Sequence, residues 1–434
     1  MTKTRHLLLS LLILCLPAPP AGAVLEIEIT QGVEGALSIA ILPFAGHAGP
    51  LGDGDTVDGI VESNLKRSGR FAPLSPSSFP QQVSAAEAID FSRWREKGVE
   101  YLVTGSVAPQ GAENTAVSFE IFDVYNGQRM GGYSVPASPA TMRKAAHRIS
   151  DKVYEALVGE RGAFSSRIAY IVSSRGPRDQ VVYRLEVSDS DGYDPRSVYT
   201  SAKPLMSPAW SPDGKSLAYV SFENDRPEIF VQNLATGQRN QVSGRAGINS
   251  APAWSPDGRR LAMTLSGGRS PDLYVMDRET GELTRITHGK GSNTGPVWMP
   301  DGQSLVFTSD RSGRPQLYQV PAKGGKAKRL TFEGRYNAAA DVSPDGSRIA
   351  MVHQDGSGDR IAVQDLLSGE FLVLTDGRLD ESPSFAPNGS MILYAAENRG
   401  RGVLAAVSVD GKVRQILRQR NEDVREPVWS PFTD

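Results

Sequence analysis

From residue 205 onward, apolar and polar positions alternate in short runs separated by turn-forming residues. One signature recurs: Trp210-Ser211-Pro212-Asp213-Gly214, Trp254-Ser255-Pro256-Asp257-Gly258, Trp298-Met299-Pro300-Asp301-Gly302, Val342-Ser343-Pro344-Asp345-Gly346 and Phe385-Ala386-Pro387-Asn388-Gly389. A truncated copy, Trp429-Ser430-Pro431, follows, and the leading residues are 44, 44, 44, 43 and 44 positions apart. A side-chain acceptor, a Pro with preset φ and a final Gly make this a tight turn. Each turn leads into an alternating run such as Leu217-Ala218-Tyr219-Val220 or Leu305-Val306-Phe307, then a polar loop, then Ile229-Phe230-Val231 or its counterpart. A Thr-Gly or Gly-Gly turn (Thr236-Gly237, Thr280-Gly281, Gly324-Gly325) precedes a last short run. Four short strands joined by turns are a propeller blade. Pro, Gly and period-2 alternation in every unit exclude a helical repeat.

The ends set the blade count. Ile168-Ala169-Tyr170-Ile171-Val172 reads as a second strand lacking its first, and Glu426-Pro427-Val428-Trp429-Ser430 as a first strand with nothing after it. Together they complete a sixth blade and leave no open edge. The expected fold is therefore a small N-terminal α/β domain followed by a six-bladed β-propeller closed by the C-terminal strand, spanning residues 36–160 and 165–434.

In the first domain, 36–44 reads as a strand, and Val57, Ile60, Val61 and Leu65 have helical spacing ending near Gly69. Segments 101–107 and 117–124 read as paired strands. Ser138-Pro139 is a helix start, and Met142, Ala146, Ile149, Val153 and Leu157 form an apolar stripe ended by Gly159. Residues 159–163 are the expected linker. Residues 24–35 are expected to be a mobile tail or an edge strand.

The first 23 residues change the picture. Lys3 and Arg5, a short apolar core over 7–16, prolines at 17, 19 and 20, and Ala21-Gly22-Ala23 predict a signal peptide cleaved after Ala23. The rival, a lipoprotein anchored through Cys15, fails because Ile13 and Leu14 stand where small residues are needed. Cleavage removes the single cysteine, and with it disulfide and thiolate chemistry. It also moves the formal charge from −2 to −4, which argues against nucleic-acid partners. No later run reaches membrane length, so direct membrane insertion is not expected.

The two-domain pattern resembles the TolB family of the Tol–Pal system. Beside the repeats, the resemblance rests on Arg167-Ile168-Ala169-Tyr170, Ser188-Asp189-Ser190-Asp191-Gly192-Tyr193, Leu379-Asp380-Glu381-Ser382-Pro383 and the closing Trp429-Ser430-Pro431. It implies a periplasmic, non-enzymatic scaffold that binds the lipoprotein Pal through the propeller and TolA through the extreme N-terminus of the mature chain. The implied roles are outer-membrane integrity and constriction at division, with other outer-membrane-associated proteins as further partners. The TolA-contact candidates are Val24, Leu25, Glu26, Ile27, Glu28 and Ile29.

Strand parity places the uniform tight turns on one face and the longer, varied connections on the other, and varied loops on a rigid scaffold suit recognition. Within those connections Asn249, Asn293 and Asn337 recur, with Asp380 at the related place. Two readings stay open: they cap the turn into the inner strand, or they form a ring of polar groups offered to a partner. By resemblance, Ala251 and Thr294 share connections with Pal-contacting positions, while Ile248 departs from the His often found there. Arg226, Arg269, Arg311 and Arg399 populate the second-to-third loops, as solvated charge or as a rim for carboxylates.

Catalytic motifs do not emerge. There is no G-x-S-x-G, and His47, His147, His288 and His353 lack ligand spacing. Asp189, Asp191 and Asp194 around Gly192 resemble part of a calcium loop but lack its full ligand set, so a turn explains them better. No cofactor is expected; a calcium ion in the propeller channel is left open. The competing reading is an enzyme or peptidase-accessory propeller using channel carboxylates, with Asp380 and Glu381 as first candidates.

Overall fold

The computed structural model describes residues 27–29, 35–46, 51, 55–81, 89–110, 114–176, 179–267, 270–289, 291–356, 358–417 and 422–432. The expected signal peptide, His47 and Arg269 lie outside these residues.

The first domain holds β2 (Leu37–Ile41), α1 (Val57–Arg67), β3 (Phe71–Pro73), α2 (Phe91–Glu96), β4 (Tyr101–Pro109), β5 (Thr115–Asp123), β6 (Gln128–Ala137) and α3 (Met142–Val158), after a tail strand β1 (Ile27–Ile29). Its sheet runs β3-β2-β4-β5-β6, with β2 parallel to both neighbours and β4, β5 and β6 antiparallel. The apolar stripes of α1 and α3 cover one face, where Ile60, Val61, Leu65, Ile149 and Val153 meet Ile39, Val103 and Phe119. Trp94 of α2 packs with Leu42 and Leu102 on the other. Thr56 caps α1, its Oγ1 accepting from Gly59 N at 3.2 Å. Ser138 and Thr141 form a reciprocal capping box around a short 3₁₀ turn, so α3 proper begins at Met142, later than Ser138-Pro139 predicts. Gly159, at φ 85°, ends it in the left-handed conformation that glycine adopts without strain.

Six four-stranded blades follow. The first is Leu205–Trp210, Ser216–Ser221, Glu228–Asn233 and Arg239–Ser243, and four more repeat this order to Arg414–Leu417. The closing blade pairs Asp423–Trp429 with Arg167–Arg175, Val181–Asp189 and Arg196–Ser201. The chain's last strand is thus the innermost strand of its opening sheet.

Every innermost strand carries a register shift at the same place. There stand Ser207, Ala251, Gly295, Ala339, Ser382 and Glu426, all with φ between 48° and 60°, followed by Pro in all blades but the fourth, where Ala340 stands. The bulge turns backbone toward the axis and widens the twist, at a cost in strain wherever the residue is not glycine. Ala339 is exposed, so Gly there loses no packing. Ala339→Gly should raise unfolding free energy by about 0.5–1 kcal/mol, net of the added freedom of the unfolded chain, as read from the urea midpoint.

The tail resolves one alternative. β1 adds antiparallel to the outer edge of the fifth blade, Ile27 opposite Leu417 and Ile29 opposite Gln415. It is an edge strand over those three residues, covering a row of backbone donors and acceptors that an outer strand otherwise leaves open. Val24, Leu25 and Glu26 lie outside the described residues.

Candidate protein-binding surfaces

The innermost strands enclose a channel of about 640 Å3, lined by Pro208, Pro252, Pro296, Pro383, Pro427 and the bulged residues. The first domain packs against the face of tight turns: Asn388 Nδ2 donates to Arg161 O at 3.0 Å, Gln415 Nε2 to Arg67 O, and Arg67 reaches Ser190. Among the described residues, these contacts all fall on that face, and the varied connections lie on the other.

Asn249, Asn293 and Asn337 are fully buried, and Asp380 nearly so. Asn249 Oδ1 accepts from Ser243 Oγ at 2.5 Å and Arg245 N at 3.2 Å, while its Nδ2 donates to Arg245 O at 2.7 Å. Asn293 Nδ2 donates to Asp272 Oδ1 at 2.9 Å, and its Oδ1 accepts from Ser309 Oγ at 2.8 Å and Arg311 Nη2 at 2.6 Å. Asn337 donates to Gln316 Oε1 at 3.0 Å and Glu333 O at 2.7 Å, with His353 Nδ1 at 2.9 Å from its Oδ1. Of the two readings, these bonds suit the capping one: Asn249 and Asn337 pin the inner strand to the connection before it, and Asn293 pins it to Asp272 of the preceding blade. The recurrence reflects the need to satisfy the same buried groups in each blade.

Asp380 and Glu381 are corrected as channel carboxylates. Burial raises the Asp380 carboxyl, which sits against Thr375 and the Gly377 backbone. Glu381 is half-buried and pairs with Arg425 at 3.3 Å. The carboxylates that line the channel are Asp341 and Glu426. Asp341 accepts from Phe385 N at 2.7 Å and is pushed up to about 6 by loss of solvent. Glu426 accepts from Ser207 N at 2.5 Å, and burial raises it too. Both could have been found by aligning the blades, since Glu426-Pro427 stands where Ser207-Pro208 does.

Ala251 and Thr294 are half-buried at the channel mouth, Ala251 on its wall. The connections expose Met206, Ile248, Phe332 and Leu379, at 41, 41, 70 and 52%. Scattered apolar residues need no explanation, but four on the connection side of successive blades leave that side with apolar surface. Isolated apolar residues such as Met206 and Phe332 carry no period that marks them in the sequence. Of the expected arginines, Arg226 pairs with the buried Glu228 at 2.8 Å. Arg311 turns inward over Phe307 and Tyr318, and Arg399 is exposed.

Among the described residues, His147, Asp189 and Asp191 form a group of metal-ligand type. The hydrogen bonding does not suit a cation. Asn64 Oδ1 accepts from Arg67 Nε at 3.2 Å, so its amide NH2 faces His147 Nδ1 at 2.9 Å and Ser150 Oγ at 2.8 Å. His147 Nδ1 must then accept, which leaves the proton on Nε2, the atom aimed at the carboxylates. Arg143 Nη2 already holds Asp191 at 2.5 Å. Asp194, the third expected acid, pairs instead with Arg196 on the surface at 2.6 Å.

The family follows from comparison with known proteins. The profile of the TolB amino-terminal domain matches residues 25–130 and that of the TolB beta propeller domain residues 154–433. The chain belongs to the TolB family. The Tol-Pal system protein TolB of Thioalkalivibrio sulfidiphilus is 60% identical over 425 residues, covering 98% of both chains. That of Nitrosococcus oceani is 60% identical over 428 residues, covering 98% of this chain and 97% of the other. The crystal structure of TolB from Acinetobacter baumannii matches with a TM-score of 0.87 at 40% identity, covering 94% of this chain and all of that one. The small α/β domain and six-bladed propeller are thus the TolB architecture, and membership places the chain in the Tol-Pal system of the cell envelope. No helix among the described residues is long and apolar enough to cross a membrane.

Proposed function

We propose that this chain is a periplasmic scaffold that binds Pal at the open mouth of its propeller and TolA through residues 24–29, catalysing nothing. In this reading it helps maintain outer-membrane integrity and supports envelope constriction at division. The observation that carries it is the exposure of Met206, Ile248, Phe332 and Leu379 at the ends of the blades opposite the tight turns that meet the first domain. Apolar anchors flanked by charged groups such as Arg399 and Glu381 suit a protein partner. Ala251 and Thr294 are the contact positions carried over from the family. The buried Asn249, Asn293, Asn337 and Asp380 would act by holding the connections in shape.

Phe332→Ala combined with Leu379→Ala should weaken Pal binding at least about tenfold. Stability should stay within about 0.5 kcal/mol, since both side chains are exposed. Calorimetric titration with purified Pal checks this, and unchanged affinity in a folded double variant refutes this apolar surface as the contact. Deleting residues 24–35 should abolish TolA capture while leaving the propeller's melting unaltered; capture by the truncated protein counts against the tail assignment.

A further inference from the structure

The turn joining the third and fourth strands differs between the closing blade and the others. In the first, second and fourth blades it is closed on itself: Asn233, Asp277 and Asp365 each accept from backbone N–H groups of their own turn. In the closing blade the same position reads Asp189-Ser190-Asp191-Gly192-Tyr193, and its groups are turned toward the first domain. Ser190 O accepts from Arg67 Nη1 at 3.0 Å, and Ser190 Oγ from Arg67 Nη2 at 2.8 Å. Asp191 Oδ2 takes Arg143 Nη2 at 2.5 Å, and the Arg143 guanidinium lies 3.7 Å from the Tyr193 ring centroid. His147 Nε2 stands 3.7 Å from both Asp189 and Asp191.

We propose that turn 189–193 is a docking socket for the first domain, and that Arg67, Arg143 and His147 seated in it fix a single angle between the two domains. The match is one of count and direction. Arg143 pairs with Asp191 across the domains and with Asp55 of its own domain at 2.8 Å, while Arg67 is met by both Ser190 oxygens, so neither enclosed guanidinium is left without acceptors. A guanidinium fork and a stacked ring must register together, which few relative orientations allow. The three N-terminal side chains come from α1 and α3, whose relative position is set by their own packed core. The linker leaves α3 through Gly159 in the left-handed conformation and touches the propeller through Arg161 O with Asn388, Arg161 over the Phe432 ring and Ala163 against Ala386 and Met391, and the socket adds contacts from α1 and α3 themselves. Burial opposes ionisation of Asp191, but His147, Arg67 and Arg143 outweigh it and hold its carboxyl well below the ordinary carboxylate range.

The test uses the chain with its one cysteine, Cys15, replaced by Ser and nitroxides placed at two exposed positions, Tyr125→Cys in the first domain and Leu367→Cys in the propeller. Electron-electron distance spectroscopy should give one narrow distribution. Asp191→Asn, Arg143→Gln and Tyr193→Leu should each broaden it, and calorimetry should then show separate transitions for the two domains. The Asp191→Asn/Arg143→Gln pair should be no broader than either single variant, because one contact is lost in all three. A native distribution in the folded variants overturns the socket, and so does additive broadening in the double. If the charge variants fail to fold, Tyr193→Leu keeps every charge and decides the matter by the same measurement.

Discussion

Exchanging Asp191 for alanine is expected to lower the unfolding free energy by roughly 3–5 kcal/mol, the usual effect of removing one partner from a buried ion pair. Asp191 is 5% exposed, and its loss takes from the largely enclosed Arg143 guanidinium its partner across the domains, leaving it Asp55 at 2.8 Å in its own domain. Burial alone would raise the carboxyl, but His147, Arg67 and Arg143 outweigh it and hold it at about 2. Because the folded value lies below the ordinary one, the stabilisation is full above the ordinary carboxylate range and declines as pH falls toward about 2. The variant should therefore differ most from the parent at neutral pH and converge on it in strong acid. Urea unfolding followed at pH 7 and pH 3 measures both halves. A loss that is equal at the two values would mean that packing, rather than charge, carries the contribution.

Trp298→Ala should cost a comparable amount, about 3–5 kcal/mol. The indole is 7% exposed and belongs to the core shared by the second and third blades. Its Nε1 donates to Ala253 O at 3.0 Å in the preceding blade, and Arg260 lies 4.4 Å from its ring. The same clamp joins Trp254 to Ala209 O at 3.1 Å and Trp210 to Val428 O at 3.2 Å. Removing the ring opens a cavity between radial sheets and leaves a buried carbonyl without its donor, two separable losses. Trp298→Phe isolates the second and should cost only about 1–3 kcal/mol. A shift of the denaturant midpoint at constant slope in both variants is the readout. If Phe is as costly as Ala, the hydrogen bond rather than the packing dominates the clamp.

These clamps also explain why the fourth and fifth blades carry Val342 and Phe385 where the others carry Trp. Val342 and Phe385 have no ring N–H, and there the blades are tied differently: Asp341 Oδ2 accepts from Phe385 N at 2.7 Å, and Ser384 Oγ from Trp429 N at 3.0 Å. Inter-blade adhesion is a repeated requirement met by different residues. A departure from the repeat thus marks a change of partner rather than an error in the pattern.

What was legible in the chain was everything written in short-range terms. Ser-Pro-Asp-Gly turns, alternation of period two and the 44-residue spacing are local, and they determine blade, number and closure because each acts within a few residues of itself. Helices α1 and α3 were legible for the same reason, α1 from the spacing of Val57, Ile60, Val61 and Leu65 and α3 from its apolar stripe ended by Gly159. Strand β6 and helix α2 were not singled out; α2 is short, and β6 is mostly exposed, so neither shows a strong apolar period. Only the tertiary structure decided which recurring residues are buried and which are offered. Asn249, Asn293 and Asn337 recur as conspicuously as any motif, yet they are buried, because neighbouring strands and connections bring donors and acceptors to them. Ile248, Phe332 and Leu379 share one side only once separate blades are set around one axis. The left-handed residues at the channel, the edge that receives β1 and the socket at 189–193 belong to the same class: each is a relation between segments far apart in the chain, and no local rule contains it.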